Sequence, residues 1–162
     1  MIIHVKNKDT LTADDFHFKC CIGKKGFNSN KKEGDYSTPK GIFNLKKLYY
    51  RKDRVGVPTC KIKKKIITKK IAWCDDPNHK KYNEEIHTFS KKNKENFYRK
   101  DCKYDYLITI DYNHKKIPGK GSAIFIHLTK DYKPTAGCIA LKKKDFEILL
   151  KLINQKSKIK IG

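Results

Sequence analysis

The chain is almost without arginine: among its 39 basic residues only Arg51, Arg54 and Arg99 are arginine, and the rest are lysine. Base-edge readout in nucleic acid leans on the planar arginine fork. Few of the basic stretches here interleave with aromatics, so specific nucleic-acid binding is not expected. Carboxylates are scarce too. Only 17 Asp and Glu oppose the basic residues, leaving a formal net charge of +22. A field of that sign attracts anionic polymers and surfaces. No apolar run has the length of a membrane-spanning helix. Met1 to Lys6 enters a strand pattern directly, with no charged and then apolar leader in view, so no secretory signal is visible. The six cysteines (20, 21, 60, 74, 102 and 138) contain no CxxC pair. That excludes the common zinc spacings, and no metal is expected. Disulfide pairing does not follow from the spacing, and the adjacent Cys20 and Cys21 are read as packed on opposite faces of a strand.

With 38% hydrophobic residues over 162 positions, the chain can bury a core without staples. No internal repeat or linker interrupts it, so a single domain over residues 1–162 is expected.

One stretch organises the rest. Gly121-Ser122-Ala123-Ile124-Phe125-Ile126-His127 reads as a buried strand ending on a histidine. Thr129 to Pro134 is a polar loop, and Thr135-Ala136-Gly137-Cys138-Ile139-Ala140-Leu141 is a turn of small residues delivering a cysteine onto an apolar run. Two strands folded back on each other would set His127 beside Cys138. An imidazole can take the thiol proton and make the sulfur a nucleophile. A lone buried cysteine is most often a small core residue. Here, however, the neighbouring side chains leave room for a carbonyl, and Gly137 permits a turn whose N–H groups could face an oxyanion.

These residues resemble the catalytic domain of the YkuD-type L,D-transpeptidases, which carry a histidine on one strand and then a Ser/Thr-His-Gly-Cys turn. His127 matches the histidine, Thr135 the hydroxyl, Gly137 the glycine and Cys138 the nucleophile. Ala136 stands where the commoner pattern has histidine, and Ala140 where arginine often follows. Glu33-Gly34-Asp35 with Thr38-Pro39-Lys40-Gly41-Ile42-Phe43 is similar to the EGD…TPxGxF stretch of the same family. Trp73-Cys74-Asp75-Asp76-Pro77, with Tyr82-Asn83, resembles one branch of it. That last segment reads equally as a capped turn opening a short helix with Trp73 packed inward, or as a subsite wall holding the amino groups of a peptide.

Elsewhere, Met1 to Lys6, Phe16 to Ile22, Ile42 to Leu45 and Tyr104 to Asn113 read as strands. In the last of these, Tyr104, Tyr106, Ile108, Ile110 and Tyr112 share one face. Lys61 to Ile71 reads as an imperfect edge strand guarded by lysines. Glu85 to Lys100 reads as a short helix around Phe97 and Tyr98, Asp145 to Ile153 as an amphipathic helix, and Lys158 to Ile161 as a final edge strand. The expected fold is mainly β, a bent sheet or sandwich of the L,D-transpeptidase catalytic type with one or two helices.

The resemblance implies a cysteine acyltransferase acting on peptidoglycan stem peptides. His127 and Cys138 would act with backbone N–H groups at Gly137 and Cys138 as the oxyanion site. Thr135, Ser122, Trp73, Asp75, Asp76 and Tyr36 are the candidate substrate-binding residues. No cofactor is called for, a monomer is expected, and the basic charge suits an anionic cell-wall surface. The implied place of action is the periplasm or cell envelope. A cysteine L,D-carboxypeptidase or hydrolase at the same site, and a non-catalytic basic module that binds wall polymer or nucleic acid with Cys138 merely packed, are the alternatives.

Overall fold

A computed structural model of the chain describes residues 1–88 and 94–162. Among these, in chain order, are β1 (Ile2–Lys6), β2 (Thr10–Ala13), β3 (Phe16–Cys21), β4 (Phe27–Asn28), β5 (Thr38–Pro39) and β6 (Gly41–Tyr50). The short helix α1 (Lys52–Val55) leads to β7 (Lys63–Ile66), β8 (Ile71–Cys74), β9 (Glu85–His87), β10 (Lys94–Asn96), β11 (Tyr106–Ile110) and β12 (Phe125–Leu128). Then come β13 (Ile139–Leu141), α2 (Lys143–Leu152) and β14 (Lys158–Ile161). The fold is mainly β, as expected.

The main sheet has nine strands in the order β11-β12-β13-β3-β2-β1-β14-β6-β7, and β11 also pairs with β6. That extra pairing closes the sheet on itself and leaves β7 outside as a parallel strand on β6. Period-two alternation builds the wall: Ile3 and Val5 of β1, Leu11 of β2, and Ile159 and Ile161 of β14 point inward to one core. α2 adds Phe146, Leu149 and Leu150 to that core, with Phe146 stacked on Tyr106 at 5.5 Å.

A three-stranded sheet, β10-β8-β9, covers the other side of β11 and β12. Tyr49, Ile71, Phe97, Tyr104, Leu107 and Phe125 form a second apolar cluster beneath it. This explains why all of β11 is buried. Tyr106, Ile108 and Ile110 serve the main core while Leu107 serves the second, so the strand has no solvent face.

Three expectations need correction. The helix expected over Glu85 to Lys100 is replaced by β9 and β10 on either side of β8, with residues 89–93 lying outside the described residues. Phe97 decides the matter: it is fully buried and packs edge-on against Tyr49 at 5.0 Å, and such tertiary packing overrides a charge pattern. The final strand is not an edge, because β14 lies between β1 and β6. Its lysines mark the solvent face of a half-buried strand, a pattern that carries no information about edges. The segment after Trp73 is a turn rather than the start of a helix, with the Asn78 N–H donating to Asp76 Oδ1 at 2.9 Å. The edge strand within Lys61 to Ile71 is present over Lys63–Ile66.

Candidate active site

β12 and β13 run parallel, with His127 opposite Ala140 in the register, so the expected fold-back is a crossover instead. Residues 129–138 return the chain to the start of the neighbouring strand, held midway by Thr135 N–H donating to the Ile22 carbonyl at 2.9 Å. Cys138 immediately precedes β13 on the same face as Ala140, one pleat back from His127 along the strand direction.

The sulfur is held by two backbone groups. The Phe125 N–H donates to Sγ at 3.4 Å, and the thiol donates to the Ala123 carbonyl at 3.2 Å. Ala123 has a φ of 54°, a left-handed conformation uncommon for alanine that turns its carbonyl to the thiol. His127 is 7% exposed, and its ring meets that of Tyr104 edge-on at 5.3 Å. Its Nδ1 lies 2.9 Å from the Leu128 carbonyl. A carbonyl only accepts, so Nδ1 carries the proton and Nε2 is the basic nitrogen. Burial pushes the imidazole down to about 4; the Leu128 carbonyl opposes this, while Lys103 and Arg99 add to it. Burial pushes the Cys138 thiol up to about 12, against the Phe125 N–H and the charge of Lys31. The resting pair is therefore a neutral thiol and a neutral imidazole, and no hydrogen bond joins them.

The turn is set by its own side chains. Thr135 Oγ1 accepts the Gly137 N–H at 3.1 Å and donates to the Cys138 carbonyl at 2.6 Å. Thr38 Oγ1 donates to the Gly137 carbonyl and accepts the Gly23 N–H, both at 2.8 Å. Gly137 has a φ of 150°, and a Cβ there would lie 2.8 Å from the Ser37 carbonyl oxygen. No other residue fits that position without displacing the turn.

A cleft of about 480 Å³ opens over this wall. It collects Cys138, His127, Gly137, Thr135, Ser122 and Asp75 from the expected set. Ser122 is tied to Glu33 at 2.8 Å, and burial raises the Asp75 carboxyl, with Glu95, Glu33 and Asp76 adding to it. Trp73, Asp76 and Tyr36 do not line the cleft. Trp73 packs against Phe97 and Phe125, Asp76 caps its turn, and Tyr36 is 52% exposed. Ala140 leaves its own place in the cleft uncharged, whereas Arg99 and Lys103 line it from another segment.

Sequence reasoning passed over Lys31, Glu95, Arg99 and Tyr104, all on the cleft wall. Lys31 is 4% exposed, paired with Asp35 at 2.8 Å, and its Nζ lies 3.4 Å from where a Gly137 Cβ would stand. Burial alone would raise the Asp35 carboxyl. The Lys31 ammonium and hydrogen bonds from Lys32 and Ser37 outweigh it and hold the group well below the usual carboxylate range. The one available signal was a Lys four residues before an Asp across Gly34.

Asn83 gives the Trp73…Asn83 pattern a structural meaning. Its Oδ1 accepts the Trp73 indole N–H at 2.9 Å and the Ala123 N–H at 3.1 Å. Its Nδ2 donates to the Tyr112 and Asn113 carbonyls at 2.9 and 3.1 Å. The pattern thereby fixes Ala123, whose carbonyl holds the thiol. Among the described residues no group of three or more His, Cys, Asp or Glu is placed to hold a metal.

The family model for the L,D-transpeptidase catalytic domain, YkuD, matches residues 2–161. No curated protein matches the chain. Among solved structures, the chain is similar to the helical cell shape determining protein Pgp2 from Campylobacter jejuni, at 18% identity and a TM-score of 0.54. It is also similar to Bd1075 from Bdellovibrio bacteriovorus, at 15% identity and a TM-score of 0.50. These matches cover 99% of this chain but only 46% and 47% of those chains, so the chain spans less than half their length. At such identities the likeness is one of fold.

Proposed function

The chain belongs to the YkuD family of L,D-transpeptidase catalytic domains, and from that premise we propose that it is a cysteine acyltransferase acting on peptidoglycan stem peptides. The observation that carries this reading is the placement of His127 and Cys138 on one wall of a cleft lined by charges of both signs. A stem peptide bears free amino and carboxylate groups, which Glu33, Asp75 and Glu95, and Lys31, Arg99 and Lys103, can meet. Such a substrate lies outside the cytoplasmic membrane, and we place the site of action in the cell envelope.

The chemistry starts from the neutral pair. The thiol turns from the Ala123 carbonyl toward His127 Nε2, which takes its proton as sulfur attacks the carbonyl of a diamino acid linked to a D-amino acid. The Gly137 N–H is engaged by Thr135, so the oxyanion falls to the Cys138 N–H and to the field of Lys31. The C–N bond breaks, the leaving amine takes the imidazolium proton, and a thioester remains. An acceptor amine attacks it, His127 takes a proton from that amine and returns it to sulfur, and a new amide leaves.

Product analysis on tetrapeptide stems, with and without an added amine, tests this. Release of the D-amino acid in both is the expected result, with the amide made to a stem's own side-chain amine in one and also to the added amine in the other. Release without any amide product would mean a hydrolase, and no release would remove catalysis altogether.

The pH profile carries a second expectation. His127 must be neutral to act as base. Its lowered pKa extends that form downward, so the acid limb of kcat/KM is expected below the ordinary imidazole value of 6.5, toward about 4. The limb belongs to the coupled pair. An acid limb at 6.5 or above would contradict the lowering of the imidazole by burial.

A further inference from the structure

β1 lies across the closed sheet from the catalytic wall. From β12 the ring runs through β13, β3 and β2 to β1 in one direction, and through β11, β6 and β14 to β1 in the other. His127 and Cys138 face outward at β12 and β13, beneath the second cluster and the cleft. The outward residues of β1 and β14 therefore look the opposite way.

Those outward residues are of two kinds. Lys6, Lys158 and Lys160 are exposed, and β1, β2, β3, β6 and β14 contain no Asp or Glu. Among the described residues none of the three makes an ion pair, whereas Lys81, Lys133 and Lys143 elsewhere do. Interleaved with them are two large apolar side chains, Ile2 and Ile42, 56% and 57% exposed. The register makes one patch of them. Lys160 lies opposite His4 on one side and Ile42 on the other, while Lys158 lies opposite Ile2 and Asn44. Cross-strand neighbours of opposite charge stabilise a sheet, and these three lysines forgo them; the carboxylate at the margin of the patch, Asp111, is taken by Asn44 and by Lys46 at 3.8 Å. Its field reaches His4, whose pKa is lowered by burial and then by Lys160 and Lys6.

We propose that the outer face of β1, β14 and the start of β6 docks on an anionic lipid bilayer, with Lys6, Lys158 and Lys160 on phosphates and Ile2 and Ile42 in the headgroup–acyl boundary. A solvated polyanion would engage the lysines but give the isoleucines nowhere to go, while a membrane interface takes both. Bound in this way, the protein holds its cleft on the side away from the membrane. The proposal stands apart from the chemistry at Cys138, because it uses none of the cleft residues.

The test is co-sedimentation of the full chain with vesicles of phosphatidylglycerol and phosphatidylcholine, against phosphatidylcholine alone. Lys6→Glu, Lys158→Glu and Lys160→Glu together are expected to weaken partitioning by about a hundredfold or more. Lys80→Glu, Lys115→Glu and Lys144→Glu, exposed lysines off this face, change the net charge equally and should weaken it only several-fold. Lys→Gln in both sets of three carries the same charge-matched comparison if the first Glu set does not fold. Ile2→Ser with Ile42→Ser should lower vesicle partitioning while leaving retention on heparin unchanged. Equal losses from the two lysine sets would show that net charge alone acts. Unchanged partitioning of the serine pair would assign the face to a soluble polyanion, and no binding to anionic vesicles would end the proposal.

Discussion

Cys138→Ala is expected to lower turnover of tetrapeptide stems by on the order of 10⁶ while leaving the fold in place, as loss of a nucleophile does where no second group can replace it. The sulfur makes only two weak bonds, to Phe125 N–H and the Ala123 carbonyl, so little packing is lost with it. The same variant tests covalency. Carbapenems resemble a strained acyl donor, and membership of the family implies that they acylate this thiol. Intact-protein mass spectrometry of the parent should show one adduct, mapped to the peptide bearing Cys138. The other cysteines sharpen the comparison. Cys20, Cys21 and Cys74 are buried, with burial raising each thiol, whereas Cys60 and Cys102 are partly exposed. A merely reactive drug would label the last two first. If Cys138→Ala released the D-amino acid at the parent rate, neither the nucleophile nor the enzyme reading would survive.

The placement of His127 and Cys138 on one cleft wall was legible because it rests on local signals. A buried strand ending on His127 and a small-residue turn ahead of Ile139 announce themselves by periodicity and side-chain size. The amphipathic spacing of Phe146, Leu149 and Leu150 did the same for α2. Relations between distant segments were not legible. Strand pattern does not state direction, so the parallel pairing of β12 and β13 and the enclosure of β14 waited on the structure. Phe97 reads as one aromatic in a charged segment until the apolar cluster around it is known. Trp73 and the two carboxylates after it fitted two readings. The structure divides them: Trp73 and Asp76 serve the fold, and only Asp75 reaches the cleft. Lys31 was hidden by composition, because in a chain so rich in lysine a Lys four residues before an Asp is too common a pattern to mark a buried one.

That buried lysine underlies the second large effect. Asp35→Ala is expected to cost about 3–5 kcal/mol of stability, the penalty for leaving one member of a buried ion pair alone. Lys31 would keep only the Lys32 carbonyl at 3.4 Å, and Ser37 and the Lys32 N–H would lose their acceptor as well. Lys31→Met should cost less, about 1–2 kcal/mol, because the Asp35 carboxylate is less buried and retains its hydrogen bonds from Lys32 and Ser37. Its larger effect should fall on turnover, since it removes the cation beside the Gly137–Cys138 turn and lets the thiol rise further. The pH dependence has a definite sign. The Asp35 carboxyl is held below its unfolded value of 3.8, so its stabilisation is present above that pH and is lost as pH falls toward the folded value. Urea unfolding of parent and Asp35→Ala should therefore show a gap that is constant near neutrality and narrows below 3.8. A gap that stayed the same width through that range would mean that the ion pair does not hold the loop. Equal losses from Asp35→Ala and Lys31→Met would likewise contradict the asymmetry in their burial.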